Sequence, residues 1–265
     1  MELTIVGSGT VAPEPDRVCA CYFVNAAATA GEEVRLLLDC GPGSLHHMQR
    51  FGVPWPRLTH LCITHFHTDH VGGIPILLFA LKYALSEPRH EPLAVVGPPG
   101  TRGFLQRLAG AFGDYVLEPG FPVLVHEIEP TALLELPGSI RLRAHATPHT
   151  EESIAFRLDR GSSALGYTGD TGPDPATLGR FFEGVDTLIA ECSLPDEQAA
   201  DMHLTPAHLA RLAMAAAPRR LVATHVYPQL RGVDVPALIR SAGWTGEVVM
   251  ASDGLRLEIG GAGAG

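Results

Sequence analysis

Basic residues are scarce in this chain. Lys and Arg number 19 against 29 Asp and Glu, and the formal net charge is −10 with 13 histidines counted neutral. Tight non-specific binding to nucleic acid works by neutralising phosphates, so the balance excludes a broad basic face. It leaves room for a local patch, or for a metal centre that brings its own positive charge. Long apolar runs are also missing. The best candidate, IPILLFALKYAL from Ile74, contains Lys82 and is too short to cross a bilayer. MELTIVGSG at the start lacks the basic region and cleavage site of a signal peptide, and a soluble cytoplasmic protein without membrane contact is expected. Cysteine is limited to Cys19, Cys21, Cys40, Cys62 and Cys192. An odd number in strand-like apolar runs speaks for reduced, buried thiols. Cys19 and Cys21 form a CxC pair that could bind a metal, but small core residues facing one side of a strand are the simpler reading. Low complexity is confined to GGAGAG at 260–265, read as a flexible tail behind a single domain over 1–259.

What the chain does contain is alternation. LTIV (3–6), CYFV (21–24), VRLLLDC (34–40), LTHLCIT (58–64) and LAVVGP (93–98) read as strands. Helical periodicity follows at 44–52, in HVGGIPILLFALKYAL and at 101–112. The second half opens on strands again, in FPVLVHEI, SIRLRAHAT, SIAFRLD and ALGYTGD. A helix around 177–183 leads to TLIAECS (187–193), and Thr205 with Pro206 makes a good N-cap and first residue for a helix to Ala217. RLVATHV, VPALIRSAG, EVVMASDG and LRLEI complete a strand–helix–strand–strand ending. The intermixing predicts α/β layers around one core. GSGT after the first strand lacks the third glycine of a dinucleotide fingerprint, and an extended segment follows it, so it reads as a tight turn.

THFHTDHVGG (64–73) concentrates the chemistry. His65, His67 and Asp69 lie two apart and would share one side of a continuing strand, while His70 swings away. The pattern predicts two different metals served from one segment, and imidazole with carboxylate suits Zn²⁺, or Mn²⁺ or Fe²⁺.

H-x-H-x-D-H after an apolar strand resembles the metallo-β-lactamase superfamily. The other motifs follow in order: LLLDCGPG with Asp39, ATPHTEESIAFRL with His149, LGYTGDTG with Asp170 and LVATHVYP with His225. The resemblance implies an αββα sandwich, two mixed β-sheets face to face with helices on both outer sides. It also implies two divalent ions, most simply Zn²⁺. His65, His67 and His149 would hold the first, Asp69, His70 and His225 the second, with Asp170 bridging and Asp39 orienting a ligand histidine. His145 competes with His149, but His149 better matches the family's loop-then-strand context. His46, His47, His60, His90, His126 and His208 match no motif and are expected to be structural or solvated.

AECSLPDEQAADMHLTPAHLA adds Glu191 at a strand end and His203 before a helix. This resembles the ribonuclease Z and related phosphodiesterase branch, where such a histidine assists at the scissile phosphate and a glutamate steadies it. That branch usually carries a long tRNA-binding arm between its third and fourth motifs. Here only 21 positions separate His149 from Asp170, enough for a hairpin. The expectation is therefore a dinuclear hydrolase of small phosphodiesters, a cyclic nucleotide or short oligonucleotide, using a metal-bridging hydroxide placed by Asp69 and Asp170. The alternatives are a tRNA 3′ endonuclease acting on RNA, a lactone, thioester or sulfate ester hydrolase on the same scaffold, and, last, a non-catalytic diiron or metal-binding protein. A homodimer is a further possibility.

Overall fold

A computed structural model describes residues 1–26 and 33–260; the remainder of the expected tail, 261–265, lies outside the described residues. The first run of strands is β1 (Glu2–Gly7), β2 (Cys21–Ala26), β3 (Val34–Leu38), β4 (His60–Cys62), β5 (Leu93–Gly97) and β6 (Val123–Glu127). The second is β7 (Leu133–Leu136), β8 (Ile140–Ala146), β9 (Ile154–Arg160), β10 (Ser163–Tyr167), β11 (Thr187–Glu191), β12 (Arg220–Thr224) and β13 (Glu247–Met250), after which β14 (Arg256–Glu258) returns to pair with β1. Among the described residues these form two seven-stranded sheets, ordered β14-β1-β2-β3-β4-β5-β6 and β13-β12-β11-β10-β9-β8-β7. Both are mixed in the same way. The pairs from β14 to β3 and from β7 to β10 are antiparallel, and those from β3 to β6 and from β10 to β13 are parallel.

The strand sequences explain the layering. Along VRLLL of β3, Leu36 and Leu38 enter a core between the sheets with Tyr22, Phe156 and Leu158. Leu37 points the other way, toward Met48 of α1 (Ser44–Arg50) and Leu77 of α3 (Ile74–Tyr83). On the second sheet Ile189 faces inward. Leu188 and Ala190 face α5 (Pro175–Phe181), α6 (Pro206–Ala216) and α7 (Val235–Ser241) through Leu178, Leu209 and Ile239. Strands covered on both faces become unbroken apolar runs instead of alternating ones. Truncating one such leucine, Leu37→Ala, costs about 2–5 kcal/mol.

α4 (Thr101–Phe112) has the expected bounds. Three local readings differ. The strand expected through residue 64 stops at Cys62, and Asp69 and His70 lie on a four-residue helix, α2 (Thr68–Val71). That helix ends where Gly72 and Gly73 pack so closely on Thr68, Cys40 and Gly41 that a Cβ would collide. α5 starts two residues early because Asp174, accepting from the Thr177 amide at 3.1 Å, caps it ahead of Pro175. Cys19 and Cys21 do not share a strand face. Cys21 is in the outer core, whereas Cys19 precedes β2, and its thiol donates to the Thr10 carbonyl at 3.2 Å. All five cysteines are free. Among the described residues no helix is long and apolar enough to cross a membrane.

Candidate metal centre

The chemistry-bearing residues cluster just beyond the carboxyl ends of strands, where open α/β sheets leave a crevice. Asp39 follows β3, His65 to His70 follow β4, Asp170 follows β10, Glu191 ends β11, His225 follows β12, and His149 is on the β8–β9 connection. Asp39 and His225 each stand one residue past a strand with positive φ, 57° and 52°. That conformation is uncommon for residues other than glycine and concentrates at functional sites.

Two ligand sets converge. The donor atoms of His65, His67, His149 and Asp170 lie within 4.8 Å of one another, and so do those of Asp69, His70 and His225. Asp170 lies between them. Its Oδ2 is 3.9 Å from His65 Nε2 and 3.7 Å from His149 Nε2, and its Oδ1 is 3.2 Å from His70 Nε2 and 3.6 Å from His225 Nε2. Asp69 Oδ2 is 3.4 Å from His225 Nε2. His145 is elsewhere, stacked on Phe181.

Hydrogen bonds behind the rings fix which nitrogen faces inward. Asp39 can only accept, so His70 Nδ1 donates to its Oδ2 at 2.7 Å and Nε2 enters the cluster. Thr64 Oγ1 donates to the same Oδ2 at 2.8 Å and therefore accepts from His65 Nδ1 at 3.0 Å. His149 Nδ1 donates to the Met202 carbonyl at 2.9 Å. His67 differs by turning Nδ1 inward, 3.1 Å from His149 Nε2. Tyr167 and the Thr64 amide complete the acceptors of Asp39, at 2.7 and 2.8 Å.

The consequence is a cavity crowded with imidazole nitrogens and carboxylate oxygens. Among the described residues His65 Nε2 is buried without a hydrogen-bond partner, and the Nε2 atoms of His70 and His225 oppose each other at 3.3 Å. A buried acceptor left without a donor is costly. Divalent cations are what such a nitrogen–carboxylate set fits.

Protonation follows the same logic. Burial, aided by the neighbouring His70, pushes His65 down to about 2. Burial also lowers His149. Burial works against ionisation of Asp69, but the His225 hydrogen bond and the charges of His70 and His225 bring its carboxyl down to about 2. His70 is buried too, yet Asp170 and Asp39 hold it above the ordinary imidazole range.

His203 approaches from the side, its ring 5.0 Å from that of His149. Its Nδ1 is 3.0 and 3.1 Å from the two oxygens of buried Glu191. Desolvation disfavours its cation, but the hydrogen bond and charge of Glu191 prevail and its pKa is raised. Tyr227 closes the rim beside His203 and His225, with ring centroids at 6.1 and 5.9 Å. Burial, with Asp69 nearby, pushes its phenol up to about 12, so it stays a donor. Thr64, Tyr167, Ser193 and Tyr227 were not singled out in the sequence. Thr64 stands inside THFHTDH and Tyr227 inside LVATHVYP, but hydroxyl groups carry no ligand spacing that would mark them.

The fold and this cluster are those of a metal-dependent hydrolase with the metallo-β-lactamase sandwich, and the chain belongs to the beta-lactamase superfamily, whose domain is matched over residues 34–226. More particularly it is ribonuclease Z-like. It is 30% identical to the ribonuclease Z of Haloferax volcanii over an alignment of 314 positions covering 98% of this chain and 95% of the relative. Human tRNase Z, short form, superposes with a TM-score of 0.77 at 26% identity, covering 98% of this chain and 100% of that one. The metallo-beta-lactamase fold protein YhfI from Bacillus subtilis shares the fold, with a TM-score of 0.80 at 24% identity and coverages of 97% and 98%.

Proposed function

We propose that the protein is a dinuclear metal-dependent phosphodiesterase acting on a small phosphodiester such as a cyclic nucleotide or short oligonucleotide. His65, His67 and His149 would hold one ion and Asp69, His70 and His225 the other, with Asp170 available to both; Zn²⁺ suits these donors best, with Mn²⁺ or Fe²⁺ as substitutes. When bound, such a pair supplies Lewis acidity toward phosphate oxygens and a water-derived nucleophile at neutral pH. The chain's own groups do the rest. Asp69 and Asp170 stay ionised and orient the attacking water. His203, kept protonated by Glu191, donates to the departing alkoxide. Tyr227 offers a neutral phenol to a non-bridging phosphate oxygen.

The observation that carries this reading is the His203–Glu191 pair beside the ligand cluster. A departing alkoxide needs a proton, and this pair places a proton donor beside the cluster. Two further features favour a small substrate. Strands β9 and β10 pair Arg160 with Ser163, so a two-residue turn stands where a tRNA-binding arm would be inserted. A recess of about 500 Å³ beside Phe66 is lined by Glu129, Glu151 and Glu152, whose carboxylates repel a polyanion.

The second reading is a tRNA 3′ endonuclease, favoured by the ribonuclease Z names of relatives aligned along nearly the whole chain. Zinc-loaded protein assayed on bis(p-nitrophenyl) phosphate, cyclic nucleotides, precursor tRNA, a lactone and a sulfate ester decides between them. Higher kcat/KM on the small phosphodiesters is expected. Preference for precursor tRNA establishes the second reading, and preference for the lactone or sulfate ester overturns both.

A further inference from the structure

Ser193 lies two residues beyond Glu191 and is fully buried. Its hydroxyl is 2.5 Å from Glu191 Oε2, 2.9 Å from the His225 carbonyl oxygen and 3.1 Å from His225 Nδ1. A hydroxyl has one proton to give and two lone pairs. The carboxylate is the nearer and the charged acceptor, so it takes the proton. The His225 carbonyl can share only that same proton, so toward the His225 ring the serine oxygen is an acceptor and Nδ1 carries the hydrogen. Nε2 is left bare, turned toward Asp69, Asp170 and His70.

We infer that Ser193 is a positioning residue for His225, joining the second metal site to the Glu191 carboxylate that also holds His203. Glu191 thus has two branches, one direct to the proton donor and one through a hydroxyl to a metal ligand. The remaining acceptor capacity of its carboxylate is used by the Thr171 and Leu204 amides at 2.7 and 3.1 Å, which keep it still. The same device occurs independently on the other sheet. Asp39 binds His70 directly and reaches His65 through Thr64 Oγ1. Each carboxylate and each hydroxyl is buried, and a buried network of this kind is stable only when every member is satisfied. Partners behind metal-bound histidines set ring orientation and tautomer, and their loss weakens metal binding by about 10–100-fold.

The inference rests on His225 being a ligand of the second ion, and the test separates the two ideas. Zinc stoichiometry and affinity are measured by chelator competition for the parent, Ser193→Ala, Ser193→Cys and His225→Ala. Nitrogen-15 shifts of His225 are read in the metal-free parent, where the Nδ1–H tautomer is expected. Ser193→Ala should bind the second zinc about 10–100-fold more weakly while the first is held as in the parent, and His225 should lose its single tautomer. Ser193→Cys, near-isosteric with a weak donor, should fall between. Parent-like affinity for the second zinc in Ser193→Ala, or an Nε2–H tautomer in the metal-free parent, overturns the role of Ser193. Because the tautomer is read in the parent, a variant that fails to fold does not shelter the inference. Two zinc ions retained by His225→Ala overturn the ligand assignment instead.

Discussion

His203 Nδ1 sits 3.0 and 3.1 Å from the two oxygens of Glu191, astride a carboxylate that is wholly out of solvent. A histidine so held keeps its proton to higher pH than a free imidazole. His203→Ala should fold and keep its metals but lose about 10²–10⁴ in kcat. Zinc analysis alongside turnover checks this, and loss of metal with unchanged activity per bound ion sinks the proton-donor role.

The pH profile gives a second test of that pair. In the proposed mechanism the active form is protonated, so activity should decline as pH rises through the raised pKa of His203. In Glu191→Gln the stabilising charge is gone and the pKa falls. The alkaline decline of kcat should therefore move to lower pH, and an unmoved limb would count against His203 as the acid.

Metal uptake should release protons. Without an ion, Asp170 and Asp39 keep a proton on His70; a cation takes the place of that proton, as ligand binding generally requires. Apparent zinc affinity should rise with pH across neutrality, and titration calorimetry in buffers of different ionisation enthalpy should register net proton release. Affinity independent of pH would mean that His70 is not a ligand.

Asp39→Ala removes the shared acceptor of His70, Thr64 and Tyr167 and leaves buried donors unsatisfied. A cost of several kcal/mol, on the order of 3–5, is expected, with weaker zinc binding at both sites because His65 also hangs on Asp39 through Thr64. Denaturant unfolding of the metal-free proteins isolates the first effect, and a cost under about 1 kcal/mol, the worth of an ordinary hydrogen bond, would contradict it.

Far from the cluster, His60 faces the space between the sheets, and burial lowers its pKa to about 4. The unfolded chain binds this proton near the ordinary pKa of about 6.5 and the folded chain does not. Stability should therefore fall as pH drops from 6.5 toward 4, by on the order of 3 kcal/mol at most. His60→Gln should flatten that part of the stability curve; an unchanged slope would assign it to other groups.

The side chains that cluster were legible because their types and spacings are unusual and because strand ends deliver them to one edge. THFHTDH, with His149, Asp170 and His225, announces itself one element at a time. The hydroxyl relays were not legible. Tyr167 meets Asp39 across 128 positions of sequence, and Thr64 and Ser193 are common residues whose roles come only from what folding sets beside them. The strand expected through residue 64 stopped at Cys62 and Asp69 fell on α2, because local alternation could not foresee how closely Gly72 and Gly73 would pack on the β3 loop. Edge strand β7 escaped notice for the opposite reason, being short and largely exposed.

Each ligand set draws from both sheets. His65 and His67 follow a strand of one and His149 belongs to the other; Asp69 and His70 likewise oppose His225. An ion in either position would therefore be a rivet through the sandwich. Its binding energy would add to the cohesion of the layers by mass action, so the melting temperature of this protein should climb with free zinc, and a chelator should loosen the two sheets at the edge that carries the cluster.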